Sequence, residues 1–410
     1  MKRLLWVGDA VVSTGFAKCT HKTLEMLRKD WDVHVLGMNY DGDPHEYPYD
    51  IYPAWQPGKD AWGISRMMHL LNYLRPDVCI VQNDPWNVPE YMKHAGNCPV
   101  VASMPVDGKN CKGAGVNGLA HAIFWTEFGR YEAANGGYLG RSSVIPLGVD
   151  LAMYKPSEDG KRLRGELRKH RGVPEDAFIV GNVNRNQPRK RLDLSIRYFA
   201  KWIEEHKIED AYLFLHVAPT GDQGYDCAQL AEYYGISSKI IIVEPAIGPG
   251  VSEQALASAY TIFDLMISTT QGEGWGLTTM ESMACGVPNI VPDWSALGEW
   301  IPDDCAVKVP CTSTIVTPTG INVVGGIPDE AEFVRALQRM YLNFQRDDLP
   351  LRDFYAKKAA ELVAQDQFRW ENIGQRFAEV LDGIRKPSMS MTALDFPSSP
   401  DVAKDEPKEA

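Results

Sequence analysis

The sequence predicts an α/β protein built of two doubly wound, Rossmann-like domains that face each other across a cleft. Three observations predict it. Short apolar runs alternate with amphipathic helical stretches, the alternation starts afresh after a charged stretch near the middle, and 410 residues are too many for one ordinary core. Apolar residues make up 44% of the chain and charged ones 23%, the profile of a globular protein.

Residues 2–8 read as a short buried strand, followed by the polar turn Ser13-Thr14-Gly15-Phe16 and a helix with apolar positions at Leu24 and Leu27. Strands follow at 33–38, 78–82, 99–104 and 123–126, with a helix at 64–74. Val144-Ile145-Pro146-Leu147-Gly148-Val149-Asp150 closes this first unit, and the charged stretch 155–176 reads as a connection. A second alternation has strands at 178–183, 211–217, 240–243, 264–268, 288–291 and 306–309, with helices at 192–205 and 252–261 between them. In such sheets ligands sit at the carboxyl ends of the strands. Amphipathic helices at 330–344, 352–366 and 370–384 end the ordered chain. Beyond Lys386 a composition rich in Ser, Pro, Asp and Lys predicts disorder. The expected boundaries are 1–150, 151–176, 177–366, 367–385 and 386–410, and no internal repeat is present.

No apolar run reaches the ~18 residues that cross a bilayer, and Met1 to Asp9 meets a charge too soon for a signal peptide, so a cytoplasmic protein is expected. Eight scattered cysteines, without Cys-x-x-Cys or zinc spacing, read as reduced packed thiols, and no metal is expected. The formal charge of −12 is unevenly spread: residues 1–150 carry 14 Lys+Arg against 16 Asp+Glu. That balance argues against broad nonspecific nucleic-acid binding, while a local basic groove stays open. The basic cluster Lys161, Arg162, Arg164, Arg168, Lys169 and Arg171 reads as a solvated helix face in the connection.

The most informative segment is Glu273-Gly274-Trp275-Gly276-Leu277-Thr278-Thr279-Met280-Glu281, preceded by Gly272. Two carboxylates straddle a glycine-broken loop and the first turn of a helix. Glycine lets backbone approach a ligand closely, and an unpaired helix N-terminus suits a diphosphate. Carboxylates accept hydrogen bonds from sugar hydroxyls, so the implied ligand is a nucleotide sugar.

Six places in order, Ser13-Thr14-Gly15-Phe16-Ala17, Trp125-Thr126-Glu127-Phe128-Gly129, Ile145 to Asp150, Arg185 with Lys190, Glu273 to Glu281, and Phe368-Arg369-Trp370-Glu371, resemble a GT-B glycosyltransferase of family four. The resemblance runs from about residue 4 to residue 384 and implies retaining, nucleotide-sugar-dependent transfer. It implies an acceptor domain first, a donor domain second, and a terminal helix crossing back to the first. By it, Arg185 and Lys190 grip the donor diphosphate and stabilise the leaving group without a divalent metal. Glu281 accepts from the ribose hydroxyls and Glu273 faces the donor sugar. Gly274, Trp275, Gly276 and Leu277 meet the sugar and diphosphate, with the Trp275 ring either packing the loop or bordering the sugar. Gly15 lies in the loop that closes over the donor phosphates.

Where many relatives carry a histidine, this chain reads Pro105-Val106-Asp107-Gly108. Asp107 is then either a group orienting the sugar or taking the acceptor proton, or a turn residue. Glu127 reads as a helix cap, Asp41-Gly42-Asp43 as a loop, and His21, His34, His121 and His216 as helix or strand residues. A UDP-sugar is the expected donor, with base contacts from backbone near Val243-Glu244-Pro245. A saccharide or glycolipid acceptor is favoured over hydroxymethylated pyrimidines in DNA, and the stretch 62–75 fits a packed helix or a membrane-touching one. A catalytically silent nucleotide-sugar binder is the reading from another class.

Overall fold

The computed structural model describes residues 1–12, 14–55, 60, 62–217, 224–243, 251–317, 320–345 and 351–384, with the backbone alone at Lys161 and Arg168. The expectations for Ser13, for Glu244 and Pro245, and for the tail from residue 386 fall outside the described residues.

The first domain alternates β1 (Lys2–Asp9), α1 (Gly15–Leu27), β2 (Trp31–Met38), β3 (Asp50–Pro53), α2 (Ile64–Leu74), β4 (Val78–Gln82), α3 (Val88–His94), β5 (Val100–Met104), β6 (His121–Phe124), α4 (Glu127–Asn135) and β7 (Ser142–Val144). Its seven strands lie in the order β3-β2-β1-β4-β5-β6-β7, all parallel. Leu4, Leu5, Trp6 and Val7 are all buried, because helices cover both faces of a parallel sheet and leave no solvent side to alternate toward.

After α5 (Asp159–Arg171) the second domain runs β8 (Phe178–Asn184), α6 (Leu192–His206), β9 (Ala211–Val217), α7 (Cys227–Tyr233), β10 (Ile240–Val243), α8 (Glu253–Tyr260), β11 (Leu265–Ile267), α9 (Leu277–Ala284), β12 (Asn289–Asp293), α10 (Ser295–Trp300), β13 (Val307–Val316), β14 (Val324–Pro328), α11 (Glu330–Phe344) and α12 (Leu351–Val363). Its order, β10-β9-β8-β11-β12-β13-β14, repeats that of the first sheet. Both sheets reverse direction of strand order beside their first strand, and these two switch points face one another.

Four expectations change. The second sheet is not wholly parallel: β14 runs antiparallel to an extended β13, and its residue Val324 exchanges backbone hydrogen bonds of 2.9 and 3.0 Å with Lys109 of the first domain. The strand expected over 123–126 stops at Phe124 because the Thr126 hydroxyl accepts from Gly129 N and caps α4; the cap is Thr126, not Glu127. Gly15 and Phe16 are the first turn of α1, not a turn before it. The connection holds the helix α5, and its Arg164 is no solvated residue: it donates at 2.6 Å to the buried Asp264 carboxylate.

One apolar cluster joins the halves, from Leu4 and Trp6 through Ile145, Leu147 and Tyr154 to Met280 and Phe368. The final helix α13 (Trp370–Asp382) lies on α1, with Phe377 against Trp6 and Gly374 against Met26, where a side chain at 374 would collide. Among the described residues no helix is long and apolar enough to cross a membrane.

Candidate functional site

The carboxyl ends of β1, β4 and β5 supply the first wall of the cleft. Asp9 ends β1, and Thr14 both donates to its carboxylate at 2.8 Å and caps α1 by accepting from Ala17 N. Asp84 follows β4 and Asp107 follows β5. Asp84, at the strand end between the other two, has its ionisation disfavoured by both of them. Burial, then the Asp107 charge, pushes the Asp84 carboxyl up to about 7, with Arg189 opposing. Burial also raises Asp107 and Asp9.

The second wall comes from the loop after β8 and the loop after β11. A single turn of 3-10 helix at Pro188–Lys190 and a left-handed Arg191 (φ 51°) turn Arg189 and Lys190 inward before α6 begins. Lys190 Nζ donates to Glu273 Oε1 at 2.5 Å. Arg189 donates to Glu273 Oε2 at 3.1 Å and to Gly272 O at 2.9 Å, and its Nε lies 3.3 Å from Asp107 Oδ2 across the cleft. Burial pushes Glu273 up, but Lys190 and Arg189 outweigh it and hold the carboxyl at about 2. Burial lowers the Lys190 ammonium to about 8, partly opposed by Glu273. Arg185 lies on the same loop, and its charge acts on Asp9 of the opposite wall.

Between the carboxylates the backbone is set by glycine and by one strained serine. Gly274 packs on Pro105 and Asp107, leaving no room for a Cβ. Gly276 adopts φ 94° at the N-cap of α9 and gives no side-chain cap, so the first amides of that helix have no partner within it. Leu277 faces Gly15 of the other domain, where an added Cβ would lie 3.2 Å from its Cδ1. Ser295, with φ 50°, accepts from Glu273 N at 3.0 Å and so fixes the loop from behind. The Trp275 ring is 3% exposed and stacks on Trp300 with centroids 5.1 Å apart, placing it under the loop.

Glu281 is buried in α9 rather than on its surface. Its Oε1 accepts from Lys18 of α1 at 2.5 Å and its Oε2 from Tyr260 at 2.8 Å. Thus Gly15, Asp107, Arg185, Lys190, the 273–277 loop and Glu281 all border the line where the two domains meet. Sequence reasoning overlooked Arg189, although it stands in the basic run Arg185 to Arg191, and also Asp9, Asp84, Ser295 and Lys18. Arg189 had a signal, the residue beside Lys190. The others are distant in sequence from their partners and have none. Glu127 pairs with Arg130, and the amides at the start of α4 donate to Glu299 of the second domain. Asp41-Gly42-Asp43 lies outside helix and strand. Among the described residues no group of three or more His, Cys, Asp or Glu could hold a metal ion.

Two facing Rossmann-like domains with a closing C-terminal helix define the GT-B fold. Residues 164–304 match the family described as Glycosyl transferases group 1. D-inositol 3-phosphate glycosyltransferase of Geodermatophilus obscurus is 31% identical over 153 residues, 36% of this chain and 32% of that protein. The same-named protein of Streptosporangium roseum is 28% identical over 255 residues, 60% of this chain and 50% of that one. The matched part of the chain thus spans between about a third and a half of those relatives' length. Among solved structures, sucrose-phosphate synthase of Thermosynechococcus elongatus superposes with TM-score 0.71 at 16% identity, covering 93% of this chain and 98% of that one. HepE of Anabaena, in complex with UDP-glucose, gives 0.70 at 17% identity, covering 93% and 100%. At such identities the likeness is one of fold.

Proposed function

We propose that this protein is a retaining, metal-independent glycosyltransferase that moves a hexosyl or pentosyl unit from a nucleoside diphosphate sugar to an acceptor hydroxyl. The observation that carries the reading is the Arg189 and Lys190 pair on Glu273, beside the uncapped N-terminus of α9. With donor bound, the diphosphate takes those two cations together with Arg185 and the first amides of α9, and Glu273 turns its acceptor capacity to sugar hydroxyls. Glu281 accepts from the ribose, and Gly15 closes over the phosphates. The bond between the anomeric carbon and the phosphate oxygen breaks, and the acceptor oxygen bonds to the same face. The acceptor proton passes to the leaving phosphate oxygen, whose charge the cations hold. No carboxylate nucleophile is needed.

UDP-glucose in the HepE complex supports a UDP-sugar as donor. The relatives named for D-inositol 3-phosphate support a polyol or saccharide acceptor over modified DNA. Asp107 lies on the first-domain wall against Arg189, where it meets the acceptor or the donor sugar. The test is proton NMR of the product formed from a donor of known anomeric configuration, with and without chelator. Retention unaffected by chelator is expected; inversion, or loss of transfer on chelation, contradicts the mechanism.

A further inference from the structure

Glu281 is buried on the second domain, yet its closest cation comes from the first. Lys18 Nζ, on the fourth residue of α1, lies 2.5 Å from Glu281 Oε1, 2.7 Å from Tyr154 Oη and 3.2 Å from Glu253 Oε1. The ammonium also sits over the Tyr154 ring, 4.8 Å from its centroid. Tyr260, itself held against Tyr154, fills one site on the other carboxylate oxygen. Three polar partners and an aromatic ring therefore hold the ammonium, and a side chain this restrained fixes what it binds.

We propose that Lys18 is a positioning residue of the donor site, holding Glu281 as an oriented carboxylate whose remaining lone pairs face the ribose hydroxyls, and so setting the preference for ribonucleotides over deoxyribonucleotides. The proposal rests on the reading of Glu281 as the ribose acceptor. A carboxylate offers about four acceptor sites. Lys18 and Tyr260 take one on each oxygen, and a vicinal diol needs two. Without Lys18 the buried Glu281 has lost its counter-ion and turns toward Tyr260, its remaining partner among those named. That change removes acceptor capacity where the diol arrives. Against burial, Glu281, Tyr154 and Glu253 hold the Lys18 ammonium above its ordinary range, so it stays charged across the working pH.

The experiment measures calorimetric affinities of UDP and 2′-deoxy-UDP for wild type, Lys18→Met, Lys18→Arg, Glu253→Gln and Glu281→Gln, with guanosine and adenosine pairs substituted if they bind better. A site that hydrogen-bonds a hydroxyl rejects the analogue lacking it, and a preference of about tenfold or more is expected in wild type. Lys18→Met should bring that ratio to within about twofold, Lys18→Arg should restore part of it, and Glu253→Gln should leave it in place. A merely structural role weakens both nucleotides equally, so an unchanged ratio in Lys18→Met while Glu281→Gln abolishes it overturns the proposal. An unchanged ratio in Glu281→Gln instead overturns the ribose assignment itself. If Lys18→Met does not fold, Lys18→Gln gives the same comparison.

Discussion

Lys190 Nζ and Glu273 Oε1 are 2.5 Å apart in a site where burial works against both charges. The carboxylate gains from two cations and sits at about 2, whereas the ammonium, next to Arg189, sits at about 8. A lysine that low loses its proton within reach of ordinary assay conditions. Since kcat/KM reports the free enzyme, it should fall as pH rises through about 8, and Lys190→Arg should move that limb beyond pH 10. A pH–rate profile of both proteins checks this.

Glu273→Gln leaves Arg189 and Lys190 without their shared carboxylate. The Glu273 carboxyl is lowered from 4.5 to about 2, so its contribution is complete above pH 4.5 and is lost as pH falls toward 2. The variant should be less stable at pH 7 by about 3 kcal/mol, a gap that narrows below pH 4.5. Urea unfolding at pH 7 and pH 3.5 measures it.

Asp84 has the opposite sign. Its carboxyl rises from 3.8 to about 7, so ionising it costs stability as pH climbs through that window, and the cost persists above 7. Asp84→Asn should raise the stability of the unliganded protein at pH 8 by about 1–4 kcal/mol and by little near pH 4. Thermal unfolding at the two pH values decides.

Away from the cleft, Arg164 donates to Asp264 at 2.6 Å and to Ile262 O at 2.6 Å, tying α5 to the second domain. Asp264 is 6% exposed and, among the described residues, has Arg352 at 3.3 Å as its second cation. Arg164→Ala should cost about 3–5 kcal/mol while leaving nucleotide affinity within about twofold, read by denaturant unfolding beside calorimetry.

Regular elements were legible where pattern and length agreed. Helices α2 and α11 and strands β4, β9 and β10 span the very residues that their periodicity marks. The elements overlooked are short or carry breakers. Asp50–Pro53 is four residues long, α3 has proline in its first turn, and β14 contains Gly325-Gly326 packed on Gln271 and Trp294. Their conformation comes from a neighbour and not from local propensity. The same holds in the site. Glu273 and Glu281 announce themselves by spacing around glycines, but Lys18 lies 263 positions from Glu281, and Asp84 is brought to Asp107 only by the pairing of β4 with β5. Strand ends carry no label for what they will face.

The most direct test of the account is calorimetric titration of the purified protein with a panel of uridine, guanosine and adenosine diphosphate sugars, repeated with Arg189→Ala and Lys190→Ala. One donor should bind wild type and release its nucleoside diphosphate slowly by hydrolysis or on transfer. Affinity should fall about tenfold or more in Arg189→Ala, and turnover should be lost mainly in Lys190→Ala. Binding of no donor, or equal binding and turnover by all three proteins, would contradict the assignment of this cleft to a diphosphate sugar.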